Sequence, residues 1–158
     1  MRFSDFVCFD AIVAGLEAED RDGVILELAG ALGRAGALGS GKPDEIARAV
    51  IKREEEASTG MGKGVAVPHV KTSAVKEAVA AIGCCGGGID FSSLDKQPVY
   101  TVILLLSPIG NADAHLQVME CIFRNLQNED FRRFLRQAQT VEQIKETIME
   151  ADADASAN

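Results

Sequence analysis

The stretch that most limits how this chain can fold is Val99-Tyr-Thr-Val-Ile-Leu-Leu-Leu106, which is uncharged and almost continuously apolar. A strand with one wet face alternates polar and apolar residues, whereas a strand covered on both faces has no need to. The run is also far shorter than the roughly 20 apolar residues that span a bilayer. It therefore reads as a central strand with other elements packed above and below it. Ala78–Cys85 is the second strand candidate, punctuated by Gly86-Gly87-Gly88. Val65-Ala66-Val67 is a third, and Pro68, which lacks an amide hydrogen, confines it to a strand end or edge.

Helices fill the intervals. Val24, Ile25, Leu28 and Leu32 recur at helical spacing behind Asp20 and Asp22. Pro43 suits the first turn of a second helix, in which Ile46, Ala49, Val50 and Arg53 share a stripe. Asn111 is the expected cap of a long helix with Leu116, Met119, Ile122, Phe123 and Leu126 on one face. Segments 130–138 and 141–150 follow, the last opened by the capping-box spacing Thr140-Val-Glu-Gln143. The pattern is that of an α/β protein, a sheet with helices packed over it, and residues 1–150 are expected to form a single domain. Residues 151–158, small and polar, are expected to be a disordered tail.

Composition excludes several classes of partner. With 24 acids against 16 bases and a formal charge of −8, the chain lacks the basic face that neutralises nucleic-acid phosphates. Docking on anionic lipid is opposed for the same reason. No tryptophan and one tyrosine, Tyr100, leave little to stack bases on. Asp5 interrupts the start before an apolar run can form, so no signal peptide and no membrane insertion are expected. Cys8, Cys84, Cys85 and Cys121 form no CxxC pair and read as reduced thiols of a cytoplasmic protein. If Cys84 and Cys85 lie on a strand they point to opposite faces, which disfavours a shared metal.

Few constellations could carry chemistry. Gly36-Ala-Leu-Gly-Ser-Gly41-Lys42 fits the front of a phosphate-binding P-loop, but Pro43 stands where the magnesium-binding Ser or Thr belongs. The two histidines are far apart in sequence with no cysteine near either, so no zinc spacing exists. No GxSxG elbow is present. No metal and no cofactor are expected. His69 remains: it emerges where an apolar strand stops, beside a loop whose Gly60, Gly62 and Gly64 allow close backbone approach to an anion. A histidine merely turning a surface corner fits those features too. His115 falls in the first turn of the long helix, where a buried structural histidine and an anion-facing one are both compatible with the pattern. Arg53, closing its helix beside Glu54 and Glu55, is unremarked on its own.

Together these positions match a known pattern. Ser58-Thr-Gly-Met-Gly-Lys-Gly-Val-Ala-Val-Pro-His69 resembles the active-site signature of enzyme IIA domains of the fructose/mannitol class of the bacterial phosphotransferase system (PTS), shared by the nitrogen-regulatory IIA proteins. Ala49-Val-Ile-Lys-Arg53-Glu-Glu is similar to the helix end that brings an arginine to the family's site. Asp113-Ala-His115-Leu116 is similar to its second histidine at a helix start. Gly88-Ile-Asp-Phe91 and Gln97-Pro-Val99 resemble the segment joining two of its strands. The resemblance spans roughly residues 3–150. Val70 departs from the small residue usual after the active histidine, and Lys63 from a commonly uncharged position.

The resemblance implies a mixed sheet of about five strands flanked by helices, of the phosphotransferase/anion-transport-protein type. It implies a phosphohistidine carrier in which His69 is phosphorylated and His115 and Arg53 assist. Amides of Gly62, Lys63 and Gly64 are expected to add donors to the phosphoryl group. The implied donor is phosphorylated HPr or its nitrogen-branch relative. The acceptor would be a separate IIB protein, or a regulated transporter or kinase controlled by the phosphorylation state. Two roles compete. A nitrogen-regulatory IIA is favoured by the Ser-Thr-Gly-Met-Gly opening, and a sugar-specific IIA feeding a separate IIB/IIC permease of the fructose or mannitol type is the alternative.

Overall fold

The computed structural model describes residues 1–157. After a turn of 3-10 helix at Phe3–Asp5 come β1 (Val7–Val13), α1 (Arg21–Arg34) and α2 (Pro43–Glu56). Four strands follow: β2 (Gly60–Gly62), β3 (Val65–Ala66), β4 (His69–Thr72) and β5 (Val79–Ile89). The chain closes with β6 (Val99–Pro108), α3 (Ala112–Leu126), α4 (Glu129–Gln137) and α5 (Val141–Ala157).

The sheet has six strands rather than about five, in the order β1-β5-β6-β3-β2, and it is mixed. β1 runs parallel to β5, and β5 antiparallel to β6. β3 and β4 lie one after the other along the far side of β6, both parallel to it. The apolar run is the hub. Thr101–Pro108 is buried throughout, with Val102, Leu104 and Leu106 in one core and Ile103 and Leu105 in another. The first core packs under α1 and α2; the second packs under α3, α4 and α5. An unalternating strand covered on both faces is what that arrangement demands.

Local signals placed the helix starts. Asp20 Oδ1 accepts from the Gly23 amide at 2.7 Å, Pro43 occupies the first turn of α2, and Asn111 Oδ1 accepts from the Ala114 amide at 3.1 Å. Thr140 Oγ1 accepts from the Gln143 amide at 3.1 Å, while the Gln143 side chain caps the Gln139 amide instead of that of Thr140. The stripe expected on α3 is rotated: Val118, Cys121, Ile122 and Leu126 are buried, and Leu116 is 58% exposed. The polar Asp10 in the middle of β1 hides that strand's apolar periodicity. β5 continues through Gly86–Gly88, its register slipping between Cys84 and Ile89. Cys84 is buried, its thiol pushed up to about 11 by that burial, while Cys85 faces the other layer.

The chain's end corrects the expected disordered tail. Residues 151–157 continue α5, and Asn158 lies outside the described residues. The reason is tertiary. Asp152 is buried, and its carboxylate accepts from the amides of Phe3 at 2.7 Å and Ser4 at 3.0 Å, tying α5 to the N-terminal turn. Removing a buried acceptor strands its donors, so Asp152→Ala is expected to cost about 2 kcal/mol in urea unfolding. A stability within about 0.5 kcal/mol of wild type would mean the tie is dispensable.

Candidate functional site

The break at Val67-Pro68 makes the site. Pro68 carries no amide hydrogen, yet its carbonyl accepts from the Leu105 amide at 2.9 Å, so the chain stays against β6 and resumes pairing at His69. His69 therefore begins a strand, where the sequence suggested that one stops. Register sets the neighbours: His69 lies opposite Leu105 and Lys71 opposite Ser107. Residues opposite one another share a face, here the face covered by α3. β4 has no further strand outside it, so this stretch of the sheet edge is open.

α3 brings the second histidine onto that face. The rings of His69 and His115 are 5.6 Å apart between centroids and inclined at 40°. Each is held at Nδ1. His69 Nδ1 lies 2.8 Å from the Val67 carbonyl oxygen. A carbonyl can only accept, so Nδ1 is the protonated nitrogen, and in the neutral ring Nε2 keeps its lone pair. His115 Nδ1 lies 2.7 Å from Oγ of the fully buried Ser107.

Partial burial, then the neighbouring His69 and Lys71, hold the His115 pKa below the ordinary 6.5. The unfolded chain therefore takes up a proton at His115 before the native one does. Native stability is expected to be complete above pH 6.5 and to fall as the pH drops toward the lowered native value. A histidine NMR titration should place the midpoint below 6.5. A midpoint at or above that value would remove the desolvation argument.

Arg53 comes from the opposite layer. It lies in the last turn of α2, which packs against β4, and its Nη1 donates to the Ala57 carbonyl at 3.1 Å. It makes no hydrogen bond to either histidine among the described residues. The Gly62-Lys63-Gly64 turn is not brought to them at all. All three residues have positive φ, closing a tight hairpin between β2 and β3. Val65 pairs with Thr101, four residues before the partner of His69, which puts the turn about 13 Å along the sheet from His69. The Lys63 amide is also occupied, donating to Asp95 Oδ2 at 2.9 Å.

Sequence reasoning missed Ser107, Lys71 and Glu54. Alternation along β4 could have flagged Lys71, two residues after His69. Ser107 carries no local signal. Glu54, beside Arg53, is 2% exposed; its carboxylate accepts from the Thr59 amide at 3.1 Å and from the Thr59 hydroxyl. No group of three or more metal-ligating side chains occurs among the described residues.

Fold and site together define a class: a mixed sheet, layered on both faces, that presents paired imidazoles at an open strand edge. Residues 7–151 match the family described as phosphoenolpyruvate-dependent sugar phosphotransferase system, EIIA 2, and the chain belongs to that family. It is 30% identical over 156 residues to a nitrogen regulatory protein of Bradyrhizobium diazoefficiens, covering 99% of this chain and 100% of that one. It is 30% identical over 152 residues to the fructose-specific EIIABC component of Bacillus subtilis, covering 96% of this chain but only 24% of that protein. A fructose-specific EIIA component of Haloferax volcanii is 34% identical over 107 residues, 68% of this chain and 70% of the relative.

Solved structures agree on the fold. The nitrogen regulatory protein IIA-Ntr of Neisseria meningitidis superposes with a TM-score of 0.82 at 24% identity, covering 92% of this chain and 98% of that one. The IIA mannitol structure from Escherichia coli gives 0.73 at 22% identity, covering 88% and 96%. A mannitol IIA has also been solved in complex with phosphorylated IIB, with a TM-score of 0.72 at 21% identity, covering 89% of this chain and 95% of the matched one. No helix among the described residues is long and apolar enough to cross a membrane.

Proposed function

We propose that this EIIA domain is a cytoplasmic phosphohistidine carrier that accepts a phosphoryl group on Nε2 of His69 from a phosphorylated HPr-type protein. The observation that carries the reading is the hydrogen bond from His69 Nδ1 to the Val67 carbonyl. It leaves Nε2 unprotonated on a half-buried ring of the edge strand, with the His115 ring 5.6 Å away between centroids. The nitrogen attacks phosphorus as the bond to the donor histidine breaks, and the donor ring keeps that electron pair. Positioning and charge compensation are what such a transfer requires.

Each neighbour has a part. With the Ser107 hydroxyl donating to Nδ1 of His115, the His115 Nε2–H is free to donate to a phosphoryl oxygen. Lys71 adds a cation on the same face, and Arg53, at the helix end by the open edge, can offer a forked one from the other layer. Leu116, next to His115 in sequence, and Ile109, just past the end of β6, are 58% and 66% exposed and offer apolar surface on which a partner protein can dock.

The onward step is transfer to a IIB domain, or control of a transporter or kinase through the added charge. The nitrogen-regulatory role is favoured by the Ser58-Thr-Gly-Met-Gly62 opening and by the end-to-end match with the Bradyrhizobium protein. The fructose-type relatives support a sugar-specific IIA as the second reading. Incubation with phosphorylated HPr, with and without a IIB acceptor, separates them. Phosphate that reaches His69 and moves quantitatively to the IIB cysteine favours the transport role. Phosphate that stays on His69 favours the regulatory one, and no labelling at all refutes both.

A further inference from the structure

A buried carboxylate lies outside the proposed chemistry, yet it stands at the head of a hydrogen-bond chain that ends on the proposed nucleophile. Glu54 is 2% exposed at the end of α2. Its two oxygens take both polar hydrogens of Thr59: Oε2 accepts from the amide at 3.1 Å and Oε1 from the hydroxyl. Thr59, itself buried, then uses its carbonyl to accept from the Val67 amide at 3.1 Å. The Val67 carbonyl in turn accepts from His69 Nδ1 at 2.8 Å. Four residues are thus linked from one helix end, through the 58–60 segment, to the imidazole.

The burial needs a reason. A carboxylate removed from water loses hydration that must be replaced by directed donors. Here both replacements come from one residue, and that residue carries no other side-chain task. Val67 precedes a proline, so the peptide after it offers a carbonyl but no amide to the sheet, and the Thr59 bond is what anchors the Val67 amide. Without that anchor the Val67 carbonyl is free to tilt away from the His69 ring. The tautomer then loses its determinant, because the partner of one ring nitrogen sets which nitrogen is protonated. A ring protonated on Nε2 has no lone pair there with which to attack.

We infer that Glu54 is a positioning residue for His69, acting through Thr59 and the Val67 carbonyl to hold the imidazole in its Nδ1–H form. The inference rests on the reading of His69 as phosphoryl acceptor only for its kinetic consequence. Its structural consequence concerns the unphosphorylated ring and is read separately.

The test uses the full chain, labelled with nitrogen-15, and long-range histidine NMR at a pH where His69 is neutral. The wild type should show the proton on Nδ1. Glu54→Ala should show a mixture of tautomers or a predominantly Nε2-protonated ring, and its rate of phosphorylation by phospho-HPr should fall by roughly 10- to 100-fold, the range seen when the groups that orient a metal-bound imidazole are removed. Glu54→Gln is the conservative rescue. Its carbonyl still accepts from the Thr59 amide and its amide donates to the Thr59 hydroxyl, so the wild-type tautomer and a rate within about threefold are expected. Thr59→Val keeps the amide bond and loses the hydroxyl, giving an intermediate shift, and it serves if Glu54→Ala fails to fold.

A folded Glu54→Ala, or Thr59→Val in its place, with the wild-type tautomer and wild-type rate would overturn the inference, however much its melting temperature dropped. Loss of the tautomer in both Glu54→Ala and Glu54→Gln would also count against it, since the rescue depends on the bonds named. If the wild type takes no phosphate but the tautomer follows Glu54 as described, the positioning role stands and the carrier reading alone fails.

Discussion

A His69→Ala protein is expected to take no phosphoryl group from phosphorylated HPr, with transfer reduced by at least about a thousandfold because no other imidazole is correctly placed to attack. The only other histidine, His115, has Nδ1 against the buried Ser107 hydroxyl and a depressed pKa. His115→Ala should keep the label on His69 and slow its formation by roughly 100-fold, the cost of one lost donor to a charged group in transfer. Mass spectrometry of the acid-labile phosphate distinguishes the outcomes. Full labelling of His69→Ala would transfer the nucleophile's role to His115. His69 sits half-buried at an open edge, so its removal leaves the two cores untouched and the variant should fold.

The second large effect is on stability. Leu104 is fully buried at the centre of β6, in the core beneath α1 and α2. Leu104→Ala deletes apolar contact and leaves a cavity in a layer held between sheet and helices, at a cost of about 3 kcal/mol. For a chain of this length that lowers Tm by roughly 6–12 °C. Leu94, 91% exposed in the loop between β5 and β6, provides the control: its alanine variant should stay within about 0.5 kcal/mol of wild type. Urea unfolding with an unchanged slope would attribute the difference to stability rather than to the denatured state. Equal stabilities for the two variants would mean that β6 is not the hub its burial indicates.

Legibility differed by element, for physical reasons. β6 was readable because burial on both faces leaves its mark on every residue of the strand. The starts of α1, α2 and α3 were readable because Asp20, Pro43 and Asn111 act on amides or dihedral angles within a few residues. β1 and β4 were not. Asp10 interrupts the first, and Pro68 reads as the end of a strand when it is only a gap in one, because β6 continues alongside. The end of α5 was illegible because its order depends on Phe3 and Ser4, about 150 residues away. On α3 the apolar stripe was misplaced because Leu116 is left outside the core that Val118 and Cys121 enter.

The site divides in the same way. The apolar hub, the layered α/β class and, through the Pro68-His69 signature with Arg53 and His115, the EIIA family are all written in the residues themselves. Those are local patterns, in which residue type answers to neighbours a few positions away. Which of the spaced residues meet depends on strand pairing and helix packing. The parallel register of β4 on β6 sets Lys71 against Ser107, and α3 closes His115 over His69. The same register carries the Gly62–Gly64 turn away from the histidines, although it lies only a few residues before them in sequence. Glu54 became visible because helix α2 ends within reach of Thr59. Strand register and helix docking are settled by the burial of whole faces, a quantity that no short stretch of sequence contains.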